Sequence, residues 1–307
     1  MIRTTLKRTL TLESPEAPGR PAHVSAASGL VRVGPWLYIV ADDALHLAVF
    51  PGQGDAPGRS VRLFPGELPD EAKARKAAKP DLEVLCLLGP LSGAPQGALL
   101  ALPSGSTQTR RRGAVVSLGA AGTLSGDVRT VDCTAMYAQL ARELGPLNIE
   151  GAAVVGGRLR LLNRGNGDTG VDALVDLDLE RARRGLEVGA LGPDVLRTTR
   201  RWELGRVGGV RLSFTDASPL PDGRLVFTAA AEDTRDAYAD GQVTGSAVGV
   251  LAPDGSPLFL DAVDAKVKLE GVDARVEGGR VHVLLVADAD APEVAAPLLE
   301  AVLDVPA

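Results

Sequence analysis

Leu147-Asn148-Ile149-Glu150-Gly151-Ala152-Ala153 sets one acidic residue and a run of small residues at the head of a strand-like segment. It continues through the turn Gly156-Gly157 into Arg158-Leu159-Arg160-Leu161-Leu162, so two apolar runs are joined by a glycine hairpin. The same arrangement recurs along the chain. Glu83 heads a run that leads to Gly97–Leu102, Asp216 one that turns at Pro221-Asp222-Gly223 into Arg224–Thr228, and Glu270 one that turns at Gly278-Gly279 into Arg280–Leu285. An earlier copy, Ser28-Gly29-Leu30-Val31, turns at Gly34-Pro35 and carries serine in the acidic slot. The five anchors are 55, 67, 66 and 54 residues apart, which is long for a solenoid repeat and right for a four-stranded blade with its loops.

The spacing predicts an all-β protein: a single β-propeller of five four-stranded blades over residues 1–307. The blades are expected at about 28–66, 83–132, 150–208, 216–265 and 270–307, with residues 1–13 joined to the last. The last repeat supplies only three strands, at Val272–Val276, Val281–Val286 and Leu298–Val305. Arg3–Leu12 is a strand with no blade of its own, and pairing it there closes the ring and leaves no open edge. Between blades, Glu67–Lys79 reads as a charged linker with a short solvated helix. Thr134–Leu144 reads as an amphipathic helix, because Met136, Leu140 and Leu144 recur every four residues. Arg181–Asp194 reads as an irregular excursion with room for a turn of helix, and Asp176 and Asp178 as outward-facing residues of a strand.

An apolar content of 45% over 307 residues supports one large core, and no stretch resembles a flexible inter-domain linker. The net charge of −6 removes the electrostatic drive toward nucleic acid, which is not expected as a partner. No apolar run approaches the ~20 residues that span a bilayer, and the first ten residues alternate polar and apolar without a secretory core; a cytoplasmic protein with no membrane partner is expected. Cys86 and Cys133 read as buried free thiols.

The first strand of every blade lines the central channel, so Ser28, Glu83, Glu150, Asp216 and Glu270 are expected as a ring at one mouth. Four carboxylates a few ångströms apart repel strongly and need neutralising. A hard cation such as Ca²⁺ on oxygen ligands, arginines from the loops, or shared protons would each serve. The loops between second and third strands open on the same face, and Arg112, Arg164 and Arg235, with Asn148 and Asn163, are candidate ligand-binding residues there. They either pair with the ring and rigidify it or clamp a small anionic ligand above a cation. His23, which precedes the first anchor, is the candidate catalytic general base.

The repeated Glu-Gly-hydrophobic start followed by Gly-Gly-Arg-Leu resembles bacterial phytase-like propellers, and most of all a bacterial five-bladed propeller family of unassigned activity. The ring is also similar in layout to calcium-activated nucleotidases, whose central calcium is held by serines and glutamates. Ser28, Glu83, Glu150 and Glu270 match that pattern; Asp216 departs from it, and the nucleotide-stacking aromatics have no counterpart here. Three readings follow: a propeller that binds a cation, a small anionic ligand or a protein partner without chemistry; a Ca-dependent phosphate-ester hydrolase; and a lactonase or esterase using His23 as base.

Overall fold

Each first strand is disturbed at one place, on its anchor in four blades and one residue before it in the blade headed by Asp216. The structure, a computed structural model, describes residues 1–305 except 166, 168–169, 235–240 and 290. Five antiparallel sheets follow one another around a ring, and their innermost strands touch in cyclic order. Blade I is Ala27–Val33, Trp36–Ala41, His46–Pro51 and Arg59–Arg62; blade II is Leu82–Leu88, Ala98–Pro103, Arg112–Leu118 and Leu124–Asp132. Blade III is Ile149–Val155, Arg158–Asn163, Asp172–Asp178 and Leu196–Trp202. Blade IV is Val210–Pro219, Leu225–Asp233, Gln242–Leu251 and Pro257–Ala262, with a two-residue strand, Arg206–Val207, folded back on its start. Blade V is Lys268–Glu277, Arg280–Asp288 and Pro297–Leu303, completed by Thr5–Thr9 from the N-terminus.

The closure extends beyond one strand pair. Ile2 bridges Val263 and Thr4 donates to Asp264 of the blade IV side, while the Arg8 guanidinium donates to the carbonyls of Gly54 and Ala56 of blade I and lies over Phe50. The N-terminal segment therefore fastens three blades together.

Buried apolar side chains of the described residues sort into five clusters, one in each gap between neighbouring blades. The gap between blades II and III is widened by a helix, Thr134–Leu144, which buries Met136, Tyr137, Leu140 and Leu144 and ends at Gly145, in the left-handed region at φ 84°. The charged linker forms the helix Ala72–Ala78, capped by Glu71. Arg181–Asp194 is more regular than its sequence suggests: Asp178 caps a helix, Leu179–Glu187, whose Leu179, Ala182 and Leu186 are buried. Asp176 does not face outward; it is buried against Arg160, with Nε 2.6 Å from Oδ1. Cys86 and Cys133 are free and buried.

The disturbance on each first strand is a one-residue bulge. Register shifts fall between Ala27 and Gly29, Leu82 and Val84, Ile149 and Gly151, Phe214 and Asp216, and Leu269 and Gly271. The unpaired residue of a bulge is re-aimed away from the sheet. On blades I, III and V the next residue is a glycine. An added Cβ at Gly151 would lie 2.7 Å from Asp216 Cα, and one at Gly271 2.7 Å from the Ser28 carbonyl oxygen. Neighbouring inner strands thus meet backbone to backbone at this level, forming a waist in the channel.

Candidate functional site at the channel mouth

The residues that the bulges turn toward one mouth are Ser28, Glu83, Glu150, Thr215 and Glu270. Asp216 is one place further on. Its carboxylate lies in the waist, fully buried, and accepts the Val272 amide at 2.9 Å. The expected equivalence of Asp216 with the other anchors is corrected by one residue, because its blade bulges at Thr215.

Glu150 and Glu270 are each 4% exposed and share a guanidinium from the loop above them. Arg164 Nη1 stands 3.3 Å from Glu150 Oε2 and 3.6 Å from Glu270 Oε1, and Nη2 stands 2.6 Å from Glu232 Oε2. Lys268 adds its ammonium 3.0 Å from Glu270 Oε1 and 3.9 Å from Asp288 Oδ2. Asn148 donates to the free side of Glu150. Its own amide donates to Asn163 Oδ1 at 3.0 Å, and Asn163 Nδ2 donates to the Val171 carbonyl. Asn163, fully buried, therefore braces the loop that carries Arg164 and does not face the mouth.

The other half of the mouth is organised around Lys79. Its ammonium pairs with Asp42 and lies 3.0 Å from Asp81 Oδ1, while Arg110 Nη1 donates to Asp81 Oδ2 at 2.9 Å. Asp81 sits at φ 60°, a left-handed conformation, and accepts the Ser104 hydroxyl. Asp42, Asp81 and Glu83 each offer a carboxylate oxygen, and all three lie within 4.8 Å of one another. Glu83 itself makes no hydrogen bond or ion pair with any described residue.

Among the described residues, seven carboxylates (Asp42, Asp81, Glu83, Glu150, Glu232, Glu270 and Asp288) thus face four cations (Lys79, Arg110, Arg164 and Lys268). Burial pushes the Glu150 carboxyl up to about 8, with Arg164 pulling it down and Glu270 pushing it further up. Burial also raises Glu83 well above the ordinary carboxylate range, and the charges of Glu150, Asp81 and Asp42 add to it. Asp42 is raised chiefly by burial, against the pull of Lys79. Burial opposes the charges of Arg164 and Lys79, but the carboxylates around each outweigh it and hold both cations charged.

Two further candidates lie away from the mouth. Arg112 is exposed on the third strand of blade II, opposite Asp132; Arg110, at the end of the preceding loop, reaches in instead. His23 Nε2 bonds the Pro292 carbonyl at 3.0 Å, and its backbone bridges Thr11. That pairing holds it at the rim between blades I and V, and no hydrogen bond or ion pair among the described residues joins it to the ring. Arg235 lies outside the described residues.

Sequence reasoning missed Asp42, Lys79, Asp81, Arg110, Glu232, Lys268 and Asp288. A signal existed for part of this set. Asp81 and Lys268 stand two residues before Glu83 and Glu270, as the candidate Asn148 does before Glu150, the spacing that returns a strand to the same face.

Residues 23–303, which take in the four complete repeats and most of the closing one, match the model of a family of unknown function, DUF6929. The chain belongs to that family. No curated protein matches the DUF6929 chain. Among solved structures, MPT-4, a mannose phosphorylase from Leishmania mexicana, is 14% identical with a TM-score of 0.51, covering 99% of this chain and 89% of its own. Glutaminyl cyclase from Myxococcus xanthus is 12% identical with a TM-score of 0.49, covering 99% of both chains. At these identities the likeness is one of fold alone. No helix among the described residues is long and apolar enough to cross a membrane.

Proposed function

We propose that the mouth is a binding site for a hard divalent cation such as Ca²⁺, seated at Asp42, Asp81 and Glu83, with a small anion entering as a further ligand of the bound ion. The observation that carries this reading is Glu83: a half-buried carboxylate with no hydrogen-bond or ion-pair partner among the described residues, facing two others within 4.8 Å. Hard cations take carboxylate oxygens of this kind, with carbonyls and water completing the shell. On this reading Lys79 is the resident counter-ion that the metal displaces. Arg164 already neutralises the opposite half, so the cation belongs beside Glu83 rather than on the axis of the ring. An anion arriving alone would meet an excess of carboxylates, which is why it is placed on the ion.

The test is titration calorimetry with Ca²⁺ on the wild type and on Glu83→Gln. Stoichiometric binding that the variant loses supports the site; no heat in the wild type at millimolar calcium removes it.

A second reading rests on Glu150. A carboxyl pushed up to about 8 holds a proton at neutral pH and can give it up, as a general acid must. With a cation alongside, that would suit hydrolysis of a phosphate ester or a lactone. A substrate panel run with and without Ca²⁺, comparing wild type with Glu150→Gln, separates catalysis from binding alone.

A further inference from the structure

Below the waist the channel opens again, into a chamber of about 180 Å³ lined by all five first strands. A cavity of that class holds a molecule of about benzene's size. Most of its side chains are apolar, among them Leu30, Leu85 and Val154, with Ser218 as an uncharged polar one. At its outer rim Arg32 and Arg275 both turn to Asp273, with Nε to Oδ1 distances of 3.4 and 3.5 Å. The arginines are occupied by that carboxylate, so the chamber offers no free charge.

Its polar character comes from backbone. In an antiparallel pair only alternate residues exchange hydrogen bonds with the neighbour, so every second residue of an innermost strand turns its N–H and C=O toward the channel. Around the side formed by blades IV, V and I these amides are answered by side chains. Asp216 accepts Val272 N–H, Ser218 accepts Ala274 N–H and Asp273 accepts Arg32 N–H, each at 2.9 Å. In blade IV the position matching Arg32 and Ala274 is Pro219, which has no N–H.

On blades II and III the matching residues are Leu85, Leu87, Ala152 and Val154, by their place after the bulges. None of these four amides meets a side-chain acceptor among the described residues. Leu85 and Ala152 are buried at the inner end of the chamber, and backbone groups removed from bulk water take a partner. We infer that the chamber is a second binding site, separate from the acidic mouth, for a small, neutral, largely apolar molecule carrying a carboxamide. Its carbonyl oxygen accepts from the amides of blades II and III, its NH₂ donates to their carbonyls, and its hydrocarbon part fills the space between the apolar side chains. A carboxylate head would face those same carbonyls without a donor, and an amine would leave the N–H groups unmet.

The inference is tested by amide-resolved NMR of the full chain titrated with valeramide, and in parallel with valerate and pentylamine. Valeramide at millimolar concentration is expected to move the Leu85, Leu87, Ala152 and Val154 amide signals together, with little change at the two other ligands. Leu87 is 43% exposed and lines the chamber, so Leu87→Trp narrows the entrance without touching the core and should weaken the titration at least ~10-fold. Unmoved amides, or shifts confined to another surface, would show that water alone serves these groups and overturn the site. An equal response to valerate would overturn the carboxamide assignment. The wild-type spectrum decides the matter even if the variant folds poorly.

Discussion

Arg164 Nη1 lies 3.3 Å from Glu150 Oε2 with both side chains almost wholly buried, so a loop residue of blade III supplies the counter-charge for the inner strand of its own blade. The same guanidinium reaches Glu232 of blade IV and Glu270 of blade V. One cation therefore ties three blades together above the waist. Removing one partner of a buried ion pair strands the others, at a cost of about 3–5 kcal/mol. Arg164→Met is expected to lower stability by that order in urea denaturation, and a loss below ~1 kcal/mol would mean that the carboxylates simply take up protons instead.

Stability should depend on pH through Glu150. Its carboxyl rises from 4.5 to about 8 on folding, so the folded state binds more protons than the unfolded chain between those values. The contribution is fully present below the unfolded value and is lost as pH rises toward 8. Unfolding free energy measured in chelator from pH 5 to pH 8 should therefore fall, and Glu150→Gln should flatten the slope. A wild-type profile that rises over this window would contradict the assignment.

Lys79 and a divalent cation compete for Asp42 and Asp81 in the proposed site. Lys79→Gln removes the competitor and should strengthen Ca²⁺ binding by ~10-fold or more in calorimetry, a change of about 1.4 kcal/mol. Unchanged or weaker binding would place the ion elsewhere.

The waist tolerates no side chain at Gly151. A Cβ 2.7 Å from Asp216 Cα must push two backbones apart, and overpacking of this kind costs about 1–3 kcal/mol. Gly151→Ala should lower the unfolding temperature by several degrees, whereas Gly156→Ala, with no atom near an added Cβ, tests only the cost of its positive φ.

Deleting residues 1–9 should increase self-association over the full chain, because it uncovers Pro297–Leu303 as an open edge and removes the ties to blades IV and I. Size-exclusion chromatography reads this directly.

The repeat was legible because each blade restates the same local physics: an anchor, a small residue, an apolar strand and a glycine turn. The helix Thr134–Leu144 was legible for the same reason, its apolar residues recurring at helical spacing. At the mouth the reading was partial. Ser28, Glu83, Glu150 and Glu270 occupy the bulges, but in blade IV the bulge falls on Thr215, and a one-residue offset leaves no trace in composition or periodicity. Arg112 and Arg110 lie in one run of three arginines, and only the end of the loop decides which of them turns inward.

The sequence alone determined the five-fold repeat, the closure by the N-terminal strand and the presence of acidic anchors, since all three follow from spacing along one strand or between like strands. Which cation answers which carboxylate was settled only in three dimensions. Asp42, Lys79 and Glu83 come from the loops and strands of two blades, and Arg164, Glu232 and Glu270 from three. Such a meeting depends on how far each blade is turned about the axis, and that angle is set by apolar packing in the gaps between blades. The chamber beneath the waist has the same origin: its open amides belong to strands whose neighbours around the ring happen to lack an acidic or hydroxyl side chain at the answering position.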